Sequence, residues 1–124
     1  MKKADVDVFE KQIAQLESLH SELTILAKKS PNDAVNAFKL KFVNSVLAQL
    51  NQFFGAKYRP FPDFEIFVPE EMPSNSDVTF MMGQYLECAE KFRSDNVHHN
   101  GIYWVWSVDG TDIRTAAPKK IFSK

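Results

Sequence analysis

Over residues 5–28 the apolar side chains recur at a spacing that only an α-helix gathers into one continuous face. Val6, Ile13, His20 and Ala27 repeat every seven residues, and Phe9, Leu16 and Leu23 fill the complementary positions. Leu19 and Leu26 widen the stripe, neither glycine nor proline interrupts it, and Lys28-Lys29 suit the negative end of the helix dipole. At ~1.5 Å per residue such a helix is about 36 Å long, as wide as a compact domain of this size. It must therefore lie along the whole domain or project from it.

A second helix is expected over 31–54, the first one's partner in a long antiparallel hairpin. Ser30-Pro31-Asn32-Asp33 supplies a cap, a proline suited to the first helical position and an acid three residues after the cap. Val35, Phe38, Phe42, Val46, Leu50 and Phe53 recur at three and four, flanked by Ala34, Val43, Leu47 and Phe54, and Gly55 stands where a left-handed cap belongs. A proline-rich connector follows over 56–73, with prolines at 60, 62, 69 and 73. A loop this long is held by its own side chains, and residues 64–68 read as a short edge strand.

Ser74 and Asp77 stand in the capping-box relation at the start of a third helix over 75–95. Its buried face is Val78, Met81, Met82, Tyr85, Leu86, Ala89 and Phe92. Gly83 lies mid-helix, where it costs about 1 kcal/mol relative to alanine, and a close crossing or a bulky neighbour would account for it. A β-hairpin is expected over 101–117, turning at Asp109-Gly110, a pair that favours a type I′ turn. That turn pairs Val108 with Thr111, Trp106 with Ile113 and Trp104 with Thr115. Trp104, Trp106 and Ile113 then face the helices, and Tyr103, Val105, Ser107 and Arg114 face away. Two strands alone are marginal in water, so the tryptophan face must rest on the helices, with 64–68 or another chain as candidate sources of a further strand. The tail, 118–124, is expected to fray.

The fold class is therefore α+β, mainly α, in a single domain over 1–124. Its 124 residues, 44% hydrophobic and 25% charged, have the proportions of a globular chain, and no apolar run approaches the ~20 residues that cross a bilayer. The opening MKKADVDVFEKQ carries acids where a signal peptide carries apolar residues, so a cytoplasmic setting is expected. Cys88 is the single cysteine, which excludes an internal disulfide, and four glycines leave no phosphate-cradling loop.

Charge is unevenly placed. Residues 1–62 carry a net +3 and residues 91–124 another +3, whereas 63–90 holds seven acids and no base. Either this is a solvated acidic segment or it faces a basic protein partner, with Glu65, Glu70 and Glu71 the residues expected to make that contact.

No catalytic constellation, cofactor site or metal site can be assigned. Adjacent His98 and His99 point to opposite sides of an extended chain, which suits a solvated polar turn better than one ion. Cys88 has Glu87 and Glu90 nearby, and acids raise a thiol's pKa rather than activate it. The aromatic hairpin lacks the basic groove that nucleic acid requires. His20 among leucines is by default a core histidine, although at a dimer seam it would fix register.

The sequence thus points to a small accessory or regulatory protein of bacterial type, non-enzymatic and acting by protein association. A homo-dimer or other homo-oligomer is expected through the face marked by Leu16 and His20. The alternative is a small-molecule binder or an enzyme, with a pocket between connector and hairpin where Tyr58, Phe61, Phe64, Tyr103, Trp106 and Arg114 would converge.

Overall fold

The computed structural model describes residues 1–119. Helix α1 spans Lys3–Lys29, α2 Ala37–Tyr58 and α3 Asn75–Asn96; strands β1 (Val97–His99), β2 (Trp104–Val108) and β3 (Thr111–Thr115) follow. The fold is α+β and mainly α, with an antiparallel sheet in the order β1-β2-β3 packed on the helices. The end of the expected tail, residues 120–124, lies outside the described residues.

Helix α1 lies along the domain, and its seam is consumed by the chain's own core. Val6, Phe9, Ile13, Leu16 and Leu23 are buried, against α3 above all and against α2. His20 packs over Gly83: a methyl group there would lie 3.6 Å from its Nε2. Of the two explanations expected for Gly83, a close crossing or a bulky neighbour, the structure shows this histidine as the neighbour.

Helix α2 begins six residues later than its proline suggested. Asn36 caps it, accepting the Lys39 N–H at 2.8 Å. The preceding segment is held open by the start of α3: Val35 N–H donates to Pro73, while the Asn75 and Ser76 N–H groups donate to Asp33 and Pro31. The Asn75 side chain adds a bond to the Ser30 carbonyl. These long-range bonds satisfy the backbone that a helical turn would otherwise have used. Its buried stripe is Leu40, Val43, Val46, Leu47, Leu50 and Phe54, and Phe38 and Phe42 lie outside it. Near its end, Gly55 has φ +54 and ψ −161, a backbone conformation other residues rarely adopt, and the chain turns on to Tyr58.

Residues 64–68 form no strand. Their backbone partners are side chains of α2: Asn44 bonds both the N–H and the carbonyl of Phe67 at 2.9 Å, and Asn51 donates to the Glu65 carbonyl. Tyr85 donates to Asn51 from α3, and Arg59 to the Phe64 carbonyl. The two asparagines lie seven residues apart on one face of α2, so the connector is pinned lengthwise along the helix. Pro69–Glu71 then makes a 3₁₀ turn ending at Met72.

The third strand comes instead from the segment expected to be a polar turn. Val97–His99 pairs antiparallel with β2, placing Val97 beside Trp106, His98 beside Val105 and His99 beside Trp104. Between β2 and β3 the register is the expected one, and Asp109 and Gly110 both have positive φ, as a type I′ turn requires. Trp106 is 1% exposed, in a cluster with Phe9 and Phe92. Trp104 is only partly buried, at the sheet margin beside His99. Val105 is buried on the opposite face, flanked in register by His98 and Arg114.

One polar node joins these layers. Buried Arg93 of α3 pairs with Glu10 of α1 through two bonds, one of them 2.9 Å. The same carboxylate accepts from Trp106 Nε1 and Thr115 Oγ1, both at 3.0 Å. Burial pushes the Glu10 pKa up, but the bonds and positive charge of Arg93, with those two donors, outweigh it and hold the carboxyl below its ordinary 4.5.

A carboxyl depressed in the folded state contributes stability that is present above its unfolded value and lost as pH falls through the folded one. The unfolding free energy should therefore decline below about pH 4.5, and Glu10→Gln should flatten part of that decline while lowering stability at neutral pH. Urea unfolding across pH checks both. In the same assay Trp106→Ala should cost about 3–5 kcal/mol, as for other large core truncations, and Trp104→Ala distinctly less.

Candidate functional site: an aromatic groove between the first two helices

The least expected feature of the surface is a pair of phenylalanines. Phe38 and Phe42 lie one turn apart on α2, 71% and 44% exposed, with ring centroids 5.0 Å apart and planes at 77°. Neither is capped by another element. Burying such a side chain stabilises by about 1.5–3 kcal/mol, so two displayed together forgo a substantial gain. Single exposed apolar residues are ordinary, whereas adjacent large ones mark surfaces that meet something.

The two rings wall a groove where α1 and α2 run side by side. Leu19 and Val46 form its floor; Gln15, Ser18 and Ser45 line its middle; and the Glu22–Lys39 ion pair, 2.7 Å long, closes one end. This depression has a volume of about 490 Å³. A second, also about 490 Å³, lies at the other end, lined by Val8, Gln49, Gln52 and Phe53, with Asp5 its charged side chain. The groove is lined by glutamines, serines and apolar side chains, with the charged residues Glu22 and Lys39 at one end and Asp5 at the other. Aromatic enrichment is one of the compositional signs of an interface centre.

Sequence reasoning missed the site because it assigned Phe38 and Phe42 to the core. The signal was present: Leu40, Val43, Leu47, Leu50 and Phe54 make a complete buried stripe without them, so α2 has more apolar residues than one face can hold.

The residues singled out from the sequence are dispersed. Leu16 is 0% exposed, so it belongs to the core and not to an association face, and His20 is half-buried against α3. The six residues of the expected aromatic pocket do not converge. Tyr58 donates to Asp95 at 2.6 Å; burial, together with that bond and the Asp95 charge, pushes its pKa up to about 12. Phe61 stacks on Phe80, Phe64 packs on Phe67 and Tyr85, and Trp106 is in the core. Arg114 lies over the Tyr103 ring, 4.0 Å from its centroid, on the face of the sheet away from the helices.

The acids remain exposed. Glu65 approaches Arg59 at 3.9 Å, while Glu70 and Glu71 project from the 3₁₀ turn, beside the exposed apolar residues Val68 and Met72. Burial and then the Glu87 charge push the Cys88 thiol up, opposite to activation. Among the described residues no three histidines, cysteines or carboxylates are gathered as metal ligands, and no helix is long and apolar enough to cross a membrane.

No family model, no curated protein and no solved structure matches this chain.

If Phe38 and Phe42 serve a surface rather than the core, truncating them should spare the fold. Phe38→Ser is expected to change the unfolding free energy by about 0.5 kcal/mol or less, whereas Leu47→Ala, on the buried stripe of the same helix, should cost about 2–5 kcal/mol. Chemical denaturation of the two variants makes the comparison.

Proposed function

We propose that this chain is a non-enzymatic accessory or regulatory protein that works by binding protein, and that the α1–α2 groove is its binding face. The observation that carries this reading is the exposed Phe38–Phe42 pair walling a mainly apolar groove. A catalytic reading has no comparable support, since the strongest polar cluster, Glu10 with Arg93, has its hydrogen bonds satisfied internally. The proposal includes a cytoplasmic setting, in keeping with a lone cysteine and no disulfide.

The connector supports a second contact of different chemistry. Glu70 and Glu71 stand beside exposed Val68 and Met72, a combination suited to a basic, partly apolar protein segment. Its binding would weaken with salt and with Glu70→Gln and Glu71→Gln.

Native mass spectrometry of the protein isolated from its source cells tests the main reading. The expected result is a protein complex heavier than one chain that is lost when Phe38→Ser and Phe42→Ser are combined. A single chain carrying only a small molecule, or a complex indifferent to both changes, would overturn it.

A further inference from the structure

We infer that strand β3 is a pairing edge for a second copy of this chain, the two sheets joining antiparallel about a two-fold axis at Ile113. This surface lies on the sheet and does not depend on the reading of the α1–α2 groove.

Strand β3 is an outer strand, with β2 on one side and no strand on the other. Proteins ordinarily protect such an edge with lysine, proline, a bulge or very short length. The opposite edge, β1, is only 3 residues long. Strand β3 has 5, pairs with β2 without a bulge, and contains neither lysine nor proline. Thr111, Asp112 and Arg114 are exposed along it. Beyond β3 the chain turns back toward the helices and leaves the edge open: the Lys119 N–H donates to Glu90 at 2.8 Å, and its ammonium lies 3.4 Å from Glu17.

The backbone limits the registers a further strand can take. In a two-residue hairpin the residues flanking the turn, here Val108 and Thr111, form a hydrogen-bonded pair, and bonded pairs then alternate along the ladder. Thr111, Ile113 and Thr115 therefore direct their N–H and C=O groups toward β2, whereas Asp112 and Arg114 direct theirs to the open edge. Antiparallel pairing of two β3 strands about Ile113 sets Asp112 opposite the partner's Arg114, and Arg114 opposite the partner's Asp112. Both are bonded positions, so each pair exchanges its two N–H···O=C bonds.

Charge selects this register from the others that the backbone permits. Asp112 and Arg114 share the sheet face away from the helices, and among the described residues neither has an ion-pair partner within the chain. About Ile113 each carboxylate stands opposite a guanidinium, and the contact is made twice. A slip of one residue turns the bonding groups away from each other. A slip of two sets Asp112 opposite its own copy, or Arg114 opposite its own copy, and like charges directly opposite are destabilising. The Tyr103 ring, 4.0 Å from the Arg114 guanidinium, keeps that group close to the sheet. On the helix side Ile113, half-buried in one chain, meets its own copy, and Thr111 meets the partner's Thr115. The axis stands perpendicular to the sheet, so each face continues into the same face of the partner.

An interface one strand wide belongs to the weak size class, so sedimentation equilibrium of the purified chain is run from about 20 µM to about 1 mM. A monomer–dimer equilibrium is expected, weakened about tenfold or more by Asp112→Arg or by Arg114→Asp, each of which sets like charges opposite. An equimolar mixture of those two variants should restore association, because every facing pair is then opposite in charge. Both residues are exposed, so circular dichroism and the unfolding midpoint should be retained. In a Cys88→Ser background, Ile113→Cys should form a disulfide with its own copy on mild oxidation, whereas Thr111→Cys should do so only with a chain carrying Thr115→Cys. A monomer throughout, an association indifferent to the charge changes, or Thr111→Cys chains that join one another as readily as Ile113→Cys chains would overturn the inference. At the low micromolar concentrations of native mass spectrometry so weak a pair separates, and a complex lost with Phe38→Ser and Phe42→Ser there reports on the groove alone.

Discussion

The carboxylate of Glu10 holds four elements together at one point. It takes two bonds from buried Arg93 of α3, one from the indole of Trp106 on β2 and one from the hydroxyl of Thr115 on β3, while sitting on α1 itself. An arginine this deeply buried is costly unless paired and fully bonded, and removing one partner from such a pair destabilises by about 3–5 kcal/mol. The node therefore sets where the sheet rests. Around it the apolar packing is aromatic: Phe9 meets Phe53, Phe92 and Trp106, and the Arg93 guanidinium lies 5.8 Å from the centroids of both Phe9 and Trp106. A three-stranded sheet that is marginal alone is stable here because a polar clamp and a ring cluster fix the same face of it.

That clamp has a consequence for the surface. With α3 packed against the inner faces of α1 and α2, and the sheet resting on α1 and α3, the outer side of the helical hairpin is left without a covering layer. On most of that side α1 and α2 carry charged residues and glutamines. Where they carry Phe38 and Phe42 instead, the chain presents apolar area that the monomer has no element to bury. The protein-binding reading follows from this imbalance.

The connector illustrates a different economy. It does not pair as a strand with the sheet, whose third strand is Val97–His99. Asn44 and Asn51 give the connector its backbone partners, and Phe64 and Phe67 anchor it from the other side. Polar side chains on a helix thus do the work of a neighbouring strand, and the acids at 65, 70 and 71 are turned outward as a result.

What the sequence determined by itself was whatever depends on near neighbours along the chain. The α1 stripe, the Ser74 cap, the buried face of α3 and the Asp109-Gly110 register are local, because periodicity, capping and turn chemistry act within a few residues. Even Gly83 pointed to a close crossing or a bulky neighbour, though not to His20. Tertiary structure decided what depends on partners distant in sequence. Pro31 begins no helix because the start of α3 takes its backbone bonds; residues 97–99 become a strand because β2 offers an edge; and Arg93 can be buried because Glu10, 83 residues away, neutralises it. The candidate site belongs to this second group. Phe38 and Phe42 look like core residues to any periodic pattern, and only the packing of α1 and α3 on the other face of α2 leaves them outside.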